Sequence, residues 1–144
     1  MVIFFLMVLT GCGKAQNTKS ESSLPATEFS KRLDQTKEAQ LVDVRTPVEF
    51  RNGHLKNAMN IDWSAGDFNE KAKALDKSKP VFVYCMSGPR SMAAAAKLKE
   101  MGFKNVYEMQ GGMMKWRDAS LPEVKVSHSA GMSLAQYNEM LKSS

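Results

Sequence analysis

A cysteine lying between a strand-like run and a helix-like run constrains the fold of this chain more than any other feature. Residues 81–84 are apolar, β-branched and aromatic, which predicts a buried strand that ends at Cys85. Residues 91–101 predict a helix whose early part is too apolar to face water, with Gly102 as its stop. The thiol therefore falls in a turn that leads from a strand into a helix.

That turn has the composition of an anion-binding loop around a nucleophile. Unpaired N–H groups and the positive end of the dipole meet at a helix start, where they stabilise a thiolate and bind an anion. The predicted backbone donors are Met86, Ser87, Gly88, Arg90 and Ser91. Gly88 permits a tight turn, whereas Pro89 has no N–H but suits the first helical turn. The alternative is a buried strand cysteine followed by an ordinary loop.

The sequence allows two alternative roles for each of two side chains in this loop. The Arg90 guanidinium either contacts the bound anion or points outward and pairs elsewhere, so its N–H is the firmer prediction. The Ser91 hydroxyl either donates to the thiolate or caps the helix.

The rest of the chain alternates between helix and strand patterns. We predict helices at 26–37 (with Thr27 as N-cap), 47–52 (helix or turn), 68–75 and 112–117, and strands at 40–44, 58–61 and 105–109. Such alternation predicts a parallel sheet covered by helices on both faces. The Cys85 loop then lies at the carboxyl end of a central strand, where open α/β sheets bind ligands.

Several segments, in this order, resemble the signatures of the rhodanese domain family. They are residues 43–50, 53–54, 58–61, 85–91, 102–107 and 111–116. The resemblance implies a three-layer α/β domain over residues 25–126, with a central, mainly parallel five-stranded sheet flanked by helices. In this family a loop of six residues, as from Cys85 to Arg90, is associated with sulfur transfer, and related phosphatases and arsenate reductases have one residue more.

The resemblance also implies a reaction and its site. Cys85 is the expected catalytic nucleophile of a thiosulfate-type sulfurtransferase, carrying a persulfide between a small anionic donor and a thiol or cyanide acceptor. Residues 86–91 are the expected substrate-binding loop, with Arg45 at the mouth of the site. The alternatives are a partner-binding or sulfide-carrier module with little turnover, and a phosphatase or arsenate reductase.

Other residues near these signatures have structural interpretations. Asp43 is expected to bond backbone at its strand end, and Arg45 to pair with Glu49 across a turn at residue 47. His54 is expected to anchor a turn, and Gly111 with Gly112 to form a turn of unusual φ near the pocket rim. Trp116 and five methionines (Met92, Met101, Met109, Met113 and Met114) are predicted to pack in the interior, whereas Met86 is predicted to line the pocket mouth.

The N-terminus resembles a bacterial lipoprotein signal. Residues 2–9 are apolar but too few to span a bilayer, and the segment that ends at Cys12 is similar to a lipobox. This implies a signal peptide at residues 1–11 and lipid on Cys12, with residues 12–24 as anchor and flexible linker. The expected location is the cell envelope outside the cytoplasm, on the periplasmic face or the cell surface. The alternative is an N-terminal strand of the fold.

Charge and cysteine content limit the partners. The net charge of +5 is scattered, which argues against nucleic-acid binding. No metal or other cofactor is expected, because the two histidines, His54 and His128, lie far apart in sequence. With Cys12 lipidated, Cys85 has no cysteine partner, so a thioredoxin-like reductant or another thiol has to unload it.

Residues 127–144 extend beyond the resemblance. A capping-box pattern at 133–136 precedes an apolar face and predicts a short amphipathic helix at about residues 134–142. This helix either docks on the domain, binds a partner or begins a further domain.

Overall fold

The computed structural model describes residues 22–125. The predicted signal peptide, the lipidation site at Cys12, most of the linker, His128 and the predicted C-terminal helix lie outside the described residues. The strands are β1 Ser23–Leu24, β2 Gln40–Asp43, β3 Met59–Asn60, β4 Val81–Tyr84 and β5 Val106–Met109. The helices are α1 Ala26–Gln35, α2 Pro47–Arg51, α3 Phe68–Ala72, α4 Pro89–Glu100 and α5 Gly112–Asp118, with a short 3-10 helix at Trp63–Ala65.

The five strands form one parallel sheet in the order β1-β5-β4-β2-β3. Strand β4, which leads to the cysteine, therefore lies in the centre. The predicted fold class, a three-layer α/β domain with a mainly parallel five-stranded sheet, is confirmed. Parallel strands end at the same edge of a sheet, so the loops after β2, β4 and β5 meet there.

Strand β4 shows how the sheet separates two apolar layers. Its four residues are all buried, and they alternate between the two faces. Val81 and Val83 pack with residues of α3 and α4, whereas Phe82 and Tyr84 pack with residues of α1 and α5. Cys85 continues the α4 side of this alternation, and this places its thiol beneath the start of α4.

Helix α4 buries a narrower face than its composition predicts. Its buried positions are Ser91, Ala94, Ala95 and Leu98, the spacing of one helical face. Met92 is 63% exposed, so the expectation that the early part of the helix is too apolar to face water is wrong. The helix tolerates this exposure because alanine forms helix readily without burial.

Two predictions at the start of the domain are also wrong. Ser23 and Leu24, assigned to the linker, form β1 beside β5, held by backbone bonds from Glu108 N–H to Ser22 and from Gln110 N–H to Leu24. The two-residue strand is too short to show an alternating pattern. Thr27 lies inside the first turn of α1 and not at its N-cap, because the helix begins at Ala26 with Pro25 as its N-cap.

Within residues 22–125, no helix combines the length and the apolar character needed to cross a membrane.

Candidate active site

The thiol of Cys85 lies in a closed turn between β4 and α4. The residue is 1% exposed, and its Sγ accepts a hydrogen bond of 3.0 Å from the Gly88 N–H. The Ser91 hydroxyl lies 3.4 Å from Sγ. Gly88 is the N-cap of α4 with φ of 123°, a conformation that favours glycine, and Pro89 is the first helical residue, as predicted.

The start of helix α4 offers further backbone N–H groups close to Cys85 in sequence. Among the described residues, Gly88 supplies the one backbone N–H that is bonded to Sγ. The N–H groups of Arg90 and Ser91 belong to the first turn of α4, where a helix has no internal acceptors. Met86 and Ser87 make no such bond to the sulfur in the described structure, so their predicted roles toward a substrate stay predictions.

Helix α5 supports the Cys85 loop through backbone hydrogen bonds. The Met113 N–H donates to the Cys85 carbonyl at 2.9 Å, and the Met114 N–H donates to the Met86 carbonyl at 3.1 Å. Gly112 has φ of 54°, and a Cβ there would lie 2.3 Å from the Cys85 carbonyl oxygen. The predicted glycine turn near the site is therefore confirmed, and the structure adds the reason: only glycine lets the two backbones approach so closely.

The Arg90 side chain points away from the sulfur and pairs with Glu49, which is the second of the two roles considered for it above. Its two terminal nitrogens bond the two Glu49 oxygens, each at 2.8 Å. Glu49 also completes a capping box with Thr46 at the start of α2. These bonds, the Arg90 bond first, lower the pKa of Glu49 from 4.5 to about 2. The Glu49 bond likewise raises the pKa of Arg90, with a smaller contribution from Cys85.

Arg45 does not lie at the mouth of the site, so that prediction is wrong. Its side chain is fully buried, bonded by Nη2 to Asp43 at 2.6 Å and to the Gly53 carbonyl at 2.7 Å. The predicted pair of Arg45 with Glu49 is wrong too, because α2 begins at Pro47 and Arg45 precedes it. The Asp43 carboxylate accepts hydrogen bonds from the Arg45 backbone N–H and from its guanidinium. The Asp43–Arg45 pair therefore has a structural role.

The remaining predicted residues divide between core and surface. His54 has its Nδ1 2.9 Å from the Phe50 carbonyl and pairs by backbone with Val124, so its structural role is confirmed. Trp116 is buried, with its indole N–H bonded to the Pro122 carbonyl. Met109 and Met113 are fully buried and Met101 packs partly against the core, but Met92 and Met114 are exposed, contrary to prediction. Met86 is half-buried beside Cys85.

Two carboxylates make contacts near the site that were not predicted. Glu49 reaches Arg90 from a distant helix, and Glu108 of β5 accepts bonds from the hydroxyls of Ser91 at 2.7 Å and Ser23 at 2.8 Å. The signal that could have found Glu108 is a charged residue inside the apolar run 106–109, since an acidic residue is rarely buried without a partner.

The fold and the loop define an α/β domain with a buried thiol at the carboxyl edge of its sheet. The rhodanese-like domain family model matches residues 25–119. The chain belongs to the rhodanese-like domain family.

Relatives and solved structures agree with this membership. A sulfurtransferase of Allochromatium vinosum is 31% identical over 72% of this chain and 94% of that protein. The thiosulfate sulfurtransferase GlpE of Coxiella burnetii is 37% identical over 69% and 87%, respectively. The protein YqhL of Bacillus subtilis is 39% identical, and the match spans 56% of this chain and 62% of that protein. The crystal structure of a rhodanese-related protein from Thermoplasma volcanium has a TM-score of 0.63 at 30% identity, covering 71% of this chain and 96% of that chain.

Proposed function

We propose that this protein is a sulfurtransferase that carries a sulfane sulfur as a persulfide on Cys85. The observation that carries the proposal is the thiol at the end of β4, bonded by the Gly88 N–H and set beneath the first turn of α4. Relatives named sulfurtransferase and thiosulfate sulfurtransferase support the same reaction class. A recessed thiol suits a donor that delivers one terminal sulfur atom, because a bulky group cannot reach a residue that is 1% exposed.

The first step loads the cysteine. The Cys85 thiolate attacks the outer sulfur of a donor such as thiosulfate, a new S–S bond forms, and the donor S–S bond breaks. Sulfite leaves with the electron pair of that bond. The Gly88 N–H and the free N–H groups of the first α4 turn stabilise the negative charge on sulfur throughout the step.

The second step unloads it. A thiolate or cyanide acceptor attacks the outer sulfur of the persulfide, the Cys85 thiolate leaves, and the enzyme returns to its starting state. Arg90 adds a positive charge near the loop but stays bonded to Glu49, so we assign its side chain to holding α2 against the loop.

A loading experiment tests the proposal. Wild-type protein treated with thiosulfate is expected to gain the mass of one sulfur atom on the peptide that contains Cys85. The Cys12→Ser variant is the matched control, since it keeps Cys85 as the single thiol of the chain and is expected to load fully. The Cys85→Ser variant is expected to gain nothing. If wild type takes no sulfur from thiosulfate or any other sulfane donor, the chain is a binding module and the proposal fails.

We further propose that the domain works at the cell envelope, tethered by lipid on Cys12 and unloaded by a thiol partner such as a thioredoxin-like protein. The lipobox-like segment before Cys12 supports the anchor, and the absence of a second cysteine in the lipidated chain supports an external thiol. Cells given a labelled fatty acid are expected to label wild type and not Cys12→Ser. Equal labelling, or none in either, would contradict the anchor.

A further inference from the structure

Glu108 is a buried carboxylate whose hydrogen bonds come from two neutral hydroxyl groups. It is 4% exposed, and its oxygens accept from Ser91 at 2.7 Å and from Ser23 at 2.8 Å. None of the ion pairs within residues 22–125 includes it. A buried negative charge without a cation is costly, and two neutral donors offset only part of that cost.

Ser91 connects this carboxyl group to the nucleophile. The side chain is fully buried, and its Oγ lies 2.7 Å from a Glu108 oxygen and 3.4 Å from the Cys85 sulfur. The hydroxyl also lies 2.9 Å from the Gly88 carbonyl, yet it has only one hydrogen to donate. Its hydrogen therefore points to one partner at a time, and the charge on each partner decides which.

Two arrangements of the same atoms follow. When Glu108 is ionised, the Ser91 hydrogen points to the carboxylate and the oxygen accepts the S–H of Cys85, in the direction that the short distances favour. When Glu108 is protonated, its O–H donates to Ser91, and the Ser91 hydrogen turns to the thiolate. The first arrangement holds a thiol beside a carboxylate, and the second holds a thiolate beside a carboxylic acid.

We propose that Cys85 and Glu108 share one proton through Ser91, so that Glu108 is the internal proton acceptor that generates the thiolate. The S–H bond of Cys85 breaks as its proton moves to Ser91 Oγ, and the former Ser91 proton moves to the Glu108 carboxylate. One proton and one unit of negative charge exchange places, with no other reactant. Glu108 acts through Ser91 and is thus a positioning residue, and the inference rests on the proposed function only for the use of the thiolate.

No cation near the pair replaces this link in the described structure. The charged side chains on the neighbouring elements have other contacts: Arg90 with Glu49, Lys99 with the Ser22 hydroxyl, and Arg32 over the Tyr107 ring. Both terminal nitrogens of Arg90 are bonded to Glu49.

Titration of the thiolate tests the proposal without any sulfur donor. The ultraviolet absorbance of the thiolate, followed against pH in the full chain with Cys12→Ser, is expected to rise in two separate steps. Two groups that share a proton lose it as a pair, so part of the thiolate forms in each step. In Glu108→Gln the side chain keeps its size but takes no proton, and a single step is expected. Two steps in Glu108→Gln, or one step in the parent, would overturn the proposal.

Two further variants distinguish proton sharing from structural support. Ser91→Ala removes the link and is expected to give a single step, even if Glu108→Gln fails to fold. Ser23→Ala removes the other hydrogen bond of Glu108, without touching the path to Cys85, and is expected to keep both steps. A single step in Ser23→Ala would show that Glu108 acts by holding β1, and would refute the proposal. Persulfide loading of the parent is measured separately, so a failed titration leaves the proposed function standing.

Discussion

The loops after β2 and β4 occupy equivalent places in the sheet, yet one holds an internal ion pair and the other holds a thiol. Both follow a buried parallel strand, both end at the carboxyl edge, and both lead into a helix whose first residue is a proline, Pro47 or Pro89. After β2, Asp43 bonds the Arg45 guanidinium inside the protein, although Arg45 Nη1 has no hydrogen-bond partner among the described residues. After β4, the sulfur of Cys85 faces a first helical turn whose N–H groups lack internal acceptors.

The two loops differ in how the helix that follows each of them is capped. Thr46 and Glu49 cap α2 with their side chains, so that loop has already used the donors that an anion would need. Helix α4 has glycine as its N-cap and no side-chain cap, which leaves its first turn open to a ligand. The two loops therefore share a position in the sheet, and they differ in whether side chains cap the following helix.

Removing the internal partner of Arg45 is the largest expected perturbation. Asp43→Ala leaves a fully buried guanidinium without its carboxylate, which is expected to cost about 3–5 kcal/mol of unfolding free energy. The exposed acid of the Lys115–Asp118 pair is the control, and Asp118→Ala is expected to stay within about 0.5 kcal/mol of wild type. Chemical denaturation measures both. Loss of persulfide loading in Asp43→Ala without loss of stability would place the β2 loop in the active site after all.

A methyl group behind Cys85 is expected to have an intermediate effect. Gly112→Ala and Gly66→Ala both place alanine at positive φ, which costs about 1–2 kcal/mol. Only the first also drives a Cβ into the Cys85 carbonyl, because nothing lies within 4 Å of a Cβ at Gly66. We expect Gly112→Ala to lose more stability and to load sulfur more slowly, with Gly66→Ala normal in loading. Equal loading rates would mean that the α5 contact does not shape the site.

The smallest expected effect concerns the contact between the two loops. Glu49 has a pKa of about 2 against an ordinary 4.5, so its ionised form contributes stability above pH 4.5, and that contribution is lost as the pH falls toward 2. Glu49→Gln is expected to lower the unfolding free energy by about 1 kcal/mol at neutral pH. The gap between variant and wild type is expected to close through this acid window. A gap that persists to pH 2 would contradict the assignment, and Glu100→Gln, at an exposed pair, is expected to show no such gap.

Local patterns predicted the strands and helices well, and pairings between distant residues poorly. The apolar run before Cys85 and the glycine and proline after it predict β4 and the start of α4 without help from the rest of the chain. The partner of Arg45 was misassigned because a spacing of four residues suggests a helical pair, whereas Glu49 bonds Arg90 across the sheet edge.

The contacts of Glu108 and Gly112 could not be predicted from the sequence, because they too join residues that are distant in the chain. Glu108 meets Ser91 because β5 lies beside β4 in the sheet, and the order of strands is not written in the periodicity of either one. Gly112 meets the Cys85 carbonyl because α5 returns over the β4 loop. The sequence does mark these residues, by a charge in an apolar run and by a glycine pair. These signals identify the residue but not the residue that it contacts.

The hydrogen bond from Met113 to the Cys85 carbonyl also sets the order in which the site can be completed. During synthesis the cysteine leaves the ribosome before α5 exists, so a nascent or truncated chain that ends before Gly112 carries the thiol without the backbone support behind it. The backbone support behind the thiol is therefore acquired only after α5 has been made.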